Sequence, residues 1–219
     1  WQAMKGDIYA ADGVNPIVAD GRVYVDTNEG DLYCINAASG NLEWYFEPEG
    51  SYNIIHEGGC SVTYTNGTVI AYAGYEEYQA PYEHYGKIYC LEGDTGDIIW
   101  EKEYVLSFPY ICANTESVFF MSQGAVICLD ASNGQENWQH DMSEHGLEIS
   151  SISMLCLDAE SMYLSFYSSE EGGESIRKLL CISINNGDTN WIKEVEYLEP
   201  VAVDEDYLYT HGDYGIDCR

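Results

Sequence analysis

The feature that most constrains this chain is an eleven-residue segment that begins with Cys, ends with Trp and occurs four times. Its sixth and seventh residues are a small turn-forming residue and a Gly, which can adopt the positive φ of a tight turn. Trp1 is placed like the end of a further copy, and Cys218 like the beginning of another. A repeat of this kind predicts one structural unit used several times. The four copies are Cys34–Trp44, Cys90–Trp100, Cys128–Trp138 and Cys181–Trp191, with Gly40, Gly96, Gly134 and Gly187 in the turns.

The segment resembles the tryptophan-docking motif of the PQQ-type β-propeller repeat family, whose pattern is Ala-x-Asp-x-x-(Thr/Ser)-Gly-x-x-x-Trp. The resemblance implies an all-β propeller of four-stranded antiparallel blades, in which each Trp packs onto the neighbouring blade. It carries little implication of a quinone, and we predict no bound cofactor. Cys replaces the family's Ala in every copy, and the family's Asp position is held by Asn36, Glu92, Asp130 and Ser183. The docking residues implied are Trp1, Trp44, Trp100, Trp138 and Trp191.

Strand and turn patterns between the motifs predict the same order in each unit. The first complete unit is predicted as strand A Pro16 to Ala19, strand B Arg22 to Asp26, strand C Asp31 to Asn36 and strand D Leu42 to Phe46. Strands A, B and C recur five times, and strand D does so only if the segment at Trp1 is counted. We therefore predict one domain over residues 1–219 with five blade equivalents. It is either a ring closed by the N-terminal strand or part of a larger propeller.

Charge and cysteine content limit the partners, sites and cellular locations that this chain can have. The chain has 38 acidic and 8 basic side chains and a formal charge of -30, which disfavours nucleic acid and anionic membrane surfaces as partners. No apolar run is long enough to span a bilayer, so membrane insertion is not expected. Eight cysteines without a CxxC pattern argue against zinc ribbons and thioredoxin-like centres. An extracellular, cell-surface or periplasmic location is the prediction.

Cysteines recur in strands C and A of successive units. Strand C of one blade faces strand A of the next, so opposed side chains could meet and form interblade bridges. The predicted pairs are Cys34 with Cys60, Cys90 with Cys112, and Cys128 with Cys156, leaving Cys181 and Cys218 over. The alternative is that the strand C cysteines are small buried residues standing in for Ala.

Two insertions lie in the hairpins between strands B and C, at positions 74–85 and 168–175. Both are expected at one face of the propeller. The first alternates aromatic and acidic residues and is a candidate surface for a protein partner, because Tyr gives a large contact area at small entropic cost. The alternative is a longer hairpin that packs on its own rings. The candidate residues are Tyr75, Tyr78, Tyr82, Tyr85, Glu76 and Glu77.

No catalytic residue is predicted, because no nucleophile with a neighbouring base and no phosphate-binding Gly loop is present. His140 and His145 could contact a metal, but a solvated loop explains them as well, and no metal site is predicted. The leading hypothesis is a non-catalytic exported scaffold that binds protein partners. The alternatives are a structural subunit of a surface layer or filament, which would self-associate, and a fragment of a PQQ-dependent dehydrogenase.

Overall fold

The structure is a computed structural model that describes residues 16–27, 31–48, 62–76, 84–145, 147–169, 175–195, 199–203, 208–212 and 215–218. These residues form antiparallel strands joined by turns, and the helical element among them is one short 3-10 helix, Met142–His145. None of the described segments contains a helix with the length and hydrophobicity needed to cross a membrane. The predicted all-β propeller is confirmed.

The strands form successive blades in chain order. The first blade contains β1 (Ile17–Ala19), β2 (Arg22–Asp26), β3 (Leu32–Asn36) and β4 (Leu42–Phe46). The second and third share β8 and contain β5 (Val62–Thr65), β6 (Thr68–Glu76), β7 (His84–Glu92), β8 (Ile98–Ala113), β9 (Ser117–Ser122), β10 (Ala125–Asp130) and β11 (Glu136–Asp141). The fourth contains β12 (Leu147–Leu157), β13 (Ser161–Ser169), β14 (Ser175–Ser183) and β15 (Thr189–Glu194), and the fifth β16 (Glu199–Val203), β17 (Leu208–Gly212) and β18 (Gly215–Cys218).

The crossing from the second blade to the third is one continuous strand. The sequence patterns predict two separate strands there, Ile98 to Glu101 and Tyr110 to Ala113, but β8 runs through both for 16 residues. Its first half pairs with β7 and its second half with β9. The two blades therefore form one seven-stranded sheet, ordered β11-β10-β9-β8-β7-β6-β5.

Among the described residues, the hydrophobic core lies between blades, in three layers that each join the front of one blade to the back of the next. Alternate residues of a strand point to opposite faces, so each blade contributes to two layers. Ile70 and Cys90 of the second blade pack with Val118 and Phe120 of the third. Phe119 and Cys128 of the third pack with Met162, Leu164 and Leu180 of the fourth. Between the first and second blades the layer holds Tyr24, Leu32, Cys34, Val62, Val69, Tyr89 and Leu91.

The last sheet has three described strands, β16-β17-β18. Residues 1–15 lie outside the described residues, so closure of the last blade by the N-terminal strand stays a prediction.

Candidate functional site

In the part of the chain that the structure describes, three docking motifs form joints of the same design. Each Trp ring lies against the turn Gly of the next blade, and a Cβ added at Gly96, Gly134 or Gly187 would lie only 2.7–2.8 Å from that ring. Only Gly, with no Cβ and with φ between +68° and +75° here, fits this position. The indole N–H donates to a backbone carbonyl of the next blade: Trp44 to Gly93 (3.0 Å), Trp100 to Ala131 (2.8 Å) and Trp138 to Ile184 (3.0 Å).

The turns before Trp44 and Trp138 are closed by local side-chain hydrogen bonds. Asn36 Oδ1 accepts from the backbone N–H groups of Ala38 and Ser39 at 3.1 and 2.9 Å. Asp130 Oδ1 accepts the N–H of Ser132 at 2.8 Å. Short polar side chains at the family's Asp position therefore hold the turn, which explains why Asn can replace Asp. Gly40 has the same positive φ of 74°, while Trp1 lies outside the described residues.

The cysteine predictions need correction. In the structure Cys90 and Cys128 are thiols in the blade interfaces, and the predicted bridges to Cys112 and Cys156 are not formed. Cys90 packs in the layer that contains Ile111, whereas the adjacent Cys112 packs in the layer on the opposite face of its blade. The prediction was off by one residue in register, which reverses the face of a strand residue.

Cys128 and Cys156 are separated for the same reason. Leu157 packs against the layer that contains Cys128. Cys156 lies opposite Tyr163, whose ring is 6.0 Å from that of Trp191, at the front of the fourth blade. Cys34 is a buried thiol, and its predicted partner Cys60 lies outside the described residues.

The strand C cysteines instead behave as small core residues. Cys34, Cys90, Cys128 and Cys181 are at most 2% exposed. Burial raises the pKa of Cys34 and of Cys90 to about 11, so neither is a thiolate at neutral pH. Of the two cysteines left without a predicted partner, Cys181 is buried and is not available for a bridge to a neighbouring copy. The side chain of Cys218, the other, is not described.

The first insertion is a regular β-ribbon. Strands β6 and β7 stay paired to their ends, with Gly74 opposite Gly86, Tyr75 opposite Tyr85 and Glu76 opposite His84. The backbone therefore places Tyr75 and Tyr85 side by side across the ribbon. Tyr78, Tyr82 and Glu77 lie outside the described residues.

The ribbon is supported by a third strand. His84, Tyr85 and Gly86 also pair with Leu106, Val105 and Tyr104 of β8. Hydrogen bonding on both sides fixes β7, so this hairpin is part of the sheet and not a separate loop. The continuous β8 thus determines where the tyrosine-bearing end of the ribbon emerges.

A groove lies at the base of the ribbon, between the second and third blades. Its volume is about 530 Å³, and residues of β7, β8, β10, β11 and the β9–β10 turn form its walls. Gly86 leaves room there for the Tyr72 ring, which a Cβ would approach within 2.3 Å. The apolar lining is Tyr104, Val105, Ala125 and Ile127, and the polar lining includes Lys87, Glu103, Ser122, Gln123, Glu136 and Gln139.

The rim of the groove is acidic. Glu103 and Glu136 are exposed, whereas Lys87 is already bound to Glu101, with Nζ 2.8 Å from Oε1. Burial, and secondarily the charge of Glu136, raises the pKa of Tyr104, so its ring stays neutral. The groove therefore combines apolar walls with an excess of carboxylates, which suits a cationic side chain with an apolar stem.

The second insertion leaves the sheet between β13 and β14, and residues 170–174 lie outside the described residues. At its base Lys178 Nζ is 3.1 Å from Ser168 Oγ and 3.4 Å from the carbonyl oxygen of His145. The structure also brings together the two histidines of the preceding crossing, with His140 Nε2 and His145 Nε2 3.0 Å apart. Among the described residues, no three His, Cys, Asp or Glu side chains converge as a metal site would require.

The groove does not fit a pyrroloquinoline quinone. That cofactor is a tricarboxylate, and the charged groups on the rim are Glu103, Glu136 and a lysine already paired with Glu101. Like charges would repel it. A quinone site cannot be assigned to this groove.

Comparison with known proteins finds similarity to quinone-dependent alcohol dehydrogenases and to BamB. The alcohol dehydrogenase (quinone) dehydrogenase subunit of Komagataeibacter europaeus is 25% identical over 143 residues, covering 57% of this chain. The match covers only 19% of that protein, so the matched part of this chain corresponds to about a fifth of that protein's length.

Solved structures share the fold. BamB from Moraxella catarrhalis superposes with a TM-score of 0.54 at 13% identity, covering 94% of this chain and 72% of that one. Quinohemoprotein alcohol dehydrogenase from Comamonas testosteroni gives 0.63 at 13% identity, covering 97% and 43%. The family described as outer membrane protein assembly factor BamB matches residues 1–216. The chain therefore belongs to this family of PQQ-type repeat propellers.

Proposed function

We propose that this chain is a non-catalytic, exported scaffold, located in the periplasm or at the cell surface, that holds a protein partner. The observation that carries the proposal is the groove at the base of the three-stranded ribbon. Apolar walls and exposed carboxylates meet there on a part of the sheet where β7 is paired with strands on both sides. The family's description as an assembly factor is consistent with a role in binding proteins.

The chemistry of the groove defines the class of partner. Two exposed carboxylates, Glu103 and Glu136, flank the Tyr104 and Ile127 walls. A partner segment that presents Arg or Lys beside an apolar residue satisfies both features, and the formal charge of -30 attracts such a segment from a distance. The occupant we propose is an extended cationic segment of another protein.

The absence of catalysis is part of the proposal. The thiols of Cys34, Cys90 and Cys156 have pKa values raised to about 11, 11 and 12 by burial, so they are poor nucleophiles. The purified chain, loaded with pyrroloquinoline quinone and Ca²⁺, is expected to give no alcohol-dependent dye reduction. Alcohol-dependent reduction above the cofactor-only blank would overturn the non-catalytic assignment and favour a dehydrogenase fragment.

The binding experiment uses a defined probe, a fluorescent nonapeptide of alternating Arg and Leu, with an alternating Glu and Leu peptide for comparison. Its anisotropy is measured at physiological salt with wild type and with the double variant Glu103→Gln/Glu136→Gln. We expect the variant to bind the cationic peptide at least about fivefold more weakly.

The matched control is Glu116→Gln/Glu160→Gln, which changes the net charge equally but lies in the turns of the opposite face. This control is expected to weaken binding less than about twofold. Equal losses in both double variants would show that the peptide senses only the overall charge, and the groove assignment would fail.

Self-association is the second candidate, and one observation favours it. Val18 and Tyr45, two large hydrophobic side chains of the first blade, are 68% and 58% exposed. Sedimentation velocity separates the candidates: the scaffold predicts a monomer, and a surface-layer or filament subunit predicts oligomers that grow with concentration.

A further inference from the structure

The crossing between the third and fourth blades contains a pair of histidines in direct contact. His140 is on β11, and His145 ends the 3-10 helix that leads to β12. Their Nε2 atoms are 3.0 Å apart, while the ring centroids are 5.1 Å apart and the ring planes differ by 19°. The rings therefore meet nitrogen to nitrogen and not face to face. One nitrogen must carry the proton and the other must accept it.

This contact joins two blades. The carbonyl of His145 accepts a hydrogen bond from Lys178 on β14 at 3.4 Å, and its Nε2 lies 3.3 Å from Thr189 Oγ1 on β15. The N–H of Met142, whose side chain is fully buried in the interface, donates to the carbonyl of Gly124 at 3.0 Å. The segment Met142–His145 is thus fastened to the third blade by the His140 contact and to the fourth by Lys178 and Thr189.

We propose that the His140–His145 contact is a proton-sensitive clasp that holds this crossing closed at neutral pH and releases it on acidification. When a single proton lies between the two Nε2 atoms, the hydrogen bond holds the two imidazole rings together. When each ring takes up its own proton from solvent, both nitrogens become donors, and two cations face each other at contact distance. The hydrogen bond is then lost and the rings must separate.

The charged groups around the pair determine the affinity for the second proton, the one that makes both rings cationic. Among the described side chains, those that face it are Asp141 and Glu144 of its own segment and Lys178 of β14; Thr189 of β15 and Ala125 and Val126 of β10 carry no charge. Burial first, then the charges of His140 and Lys178, lowers the pKa of His145 below its ordinary 6.5, against the opposing effect of Glu144. The unfolded chain therefore binds this proton more tightly, and the clasp loses stability as pH falls below 6.5.

Release affects the face that carries the groove. Gly124, which the clasped segment contacts, follows Gln123 in the β9–β10 turn, and Gln123 lines the groove. The clasp is therefore next to the groove. It depends only on the histidine contact, so it is expected to open and close whether or not the groove binds a partner.

The test combines an NMR titration with amide hydrogen exchange on the full chain. Histidine Cε1–H signals are followed from pH 8 to pH 4.5 in wild type, His140→Gln and His145→Gln. In His140→Gln we expect the pKa of His145 to rise by about 0.5 to 1 unit, because the neighbouring cation is gone. An unchanged pKa would show that the two rings do not share a proton.

Exchange at the amides of residues 143–145 is compared at pH 7.5 and pH 5.0, after correction for intrinsic rates. In wild type, protection at pH 5.0 is expected to fall at least about tenfold. In both single variants it is expected to change less than about twofold, because a single ring cannot repel itself. His84→Gln, a histidine on β7, is the control and is expected to behave like wild type. Equal losses of protection in wild type and His140→Gln would overturn the clasp.

Discussion

The joint between the second and third blades and the joint between the third and fourth share one docking contact but differ in how the chain crosses. In both, a Trp ring lies on a turn Gly and its N–H donates to a carbonyl of the next blade. The first crossing is the uninterrupted strand β8, and beside it are the ribbon and the groove. The second is a 3-10 helix fixed by two histidines. The docking motif therefore determines how neighbouring blades pack. The segment that crosses between the blades determines which surface feature lies beside the joint, the ribbon and groove at one and the histidine pair at the other.

The largest expected effect on the free energy of unfolding comes from the Trp docking contact, which both joints share. Trp100→Ala removes a ring that is 8% exposed and the hydrogen bond to Ala131, and should lower the free energy of unfolding by about 3–5 kcal/mol. Trp138 is less buried, so Trp138→Ala should cost less. Urea unfolding of both variants checks the order, with Ile192→Ala at an exposed site as the control. A larger loss for Trp138→Ala would mean that the second joint depends more on docking than its burial indicates.

The turn glycine gives a cleaner comparison. Gly134→Ala would place a Cβ 2.8 Å from Trp100 Cε3 at a φ of +68°. The control Gly21→Ala has a similar φ of +75° and no atom within 4 Å, so it carries the backbone strain without the clash. We expect about 1 kcal/mol of destabilisation for Gly21→Ala and about 2–4 kcal/mol for Gly134→Ala, measured by urea unfolding. Equal costs would show that the ring shifts freely and that the close Trp–Gly approach is not required.

A buried carboxyl in the first blade should respond to pH in the opposite sense from the histidine clasp. Burial raises the pKa of Asp26 from 3.8 to about 6. The folded state therefore binds this proton more tightly, and stability is lost as pH rises from 3.8 through 6. Asp26→Asn should be more stable than wild type by about 1–3 kcal/mol at pH 7 and by little at pH 4. Unfolding free energies at the two pH values check this, and a constant difference would show that the carboxyl does not titrate in this range.

The smallest expected effect is at the first joint, where two donors share one acceptor. The Tyr24 hydroxyl and the Trp44 indole both donate to the carbonyl of Gly93, at 3.2 and 3.0 Å. Tyr24→Phe removes one donor and leaves the acceptor bonded, so the cost should be about 0.5–1 kcal/mol, measured by urea unfolding. A cost above about 2 kcal/mol would show that the hydroxyl, and not the indole, is the main bond to this carbonyl.

The blade order followed from the sequence because the repeat is strong. The Cys-to-Trp segment and its turn glycines are local signals, and the structure has positive φ at Gly40, Gly96, Gly134 and Gly187. The fused strand β8 could not be predicted, because residues 102–109 give no alternation that distinguishes a strand from a linker. The cysteine pairing was wrong because a one-residue choice of register decides which face Cys112 occupies, and sequence spacing does not contain that choice.

The groove and the histidine contact could not be predicted from the sequence, for a related reason. Gly86, Glu103 and Glu136 come from three strands, and nothing in their sequence spacing brings them together. His140 and His145 were noted as a pair five residues apart, but only the 3-10 helix between them turns the two rings toward each other. The tyrosine-rich insertion, in contrast, was predicted from its position in the repeat and its residue order, and the structure added its regular pairing and its third strand.

Site-specific photo-crosslinking of the full chain in its native source would decide whether the groove binds a partner. A photoreactive residue replaces Gln123 at the groove or Asn185 on the opposite face, and the crosslinked peptides are sequenced. A partner-binding groove predicts a product from Gln123 whose partner segment contains Arg or Lys and whose yield falls in the Glu103→Gln/Glu136→Gln background, with no such product from Asn185. Equal products from both positions, or products containing only this chain, would contradict it.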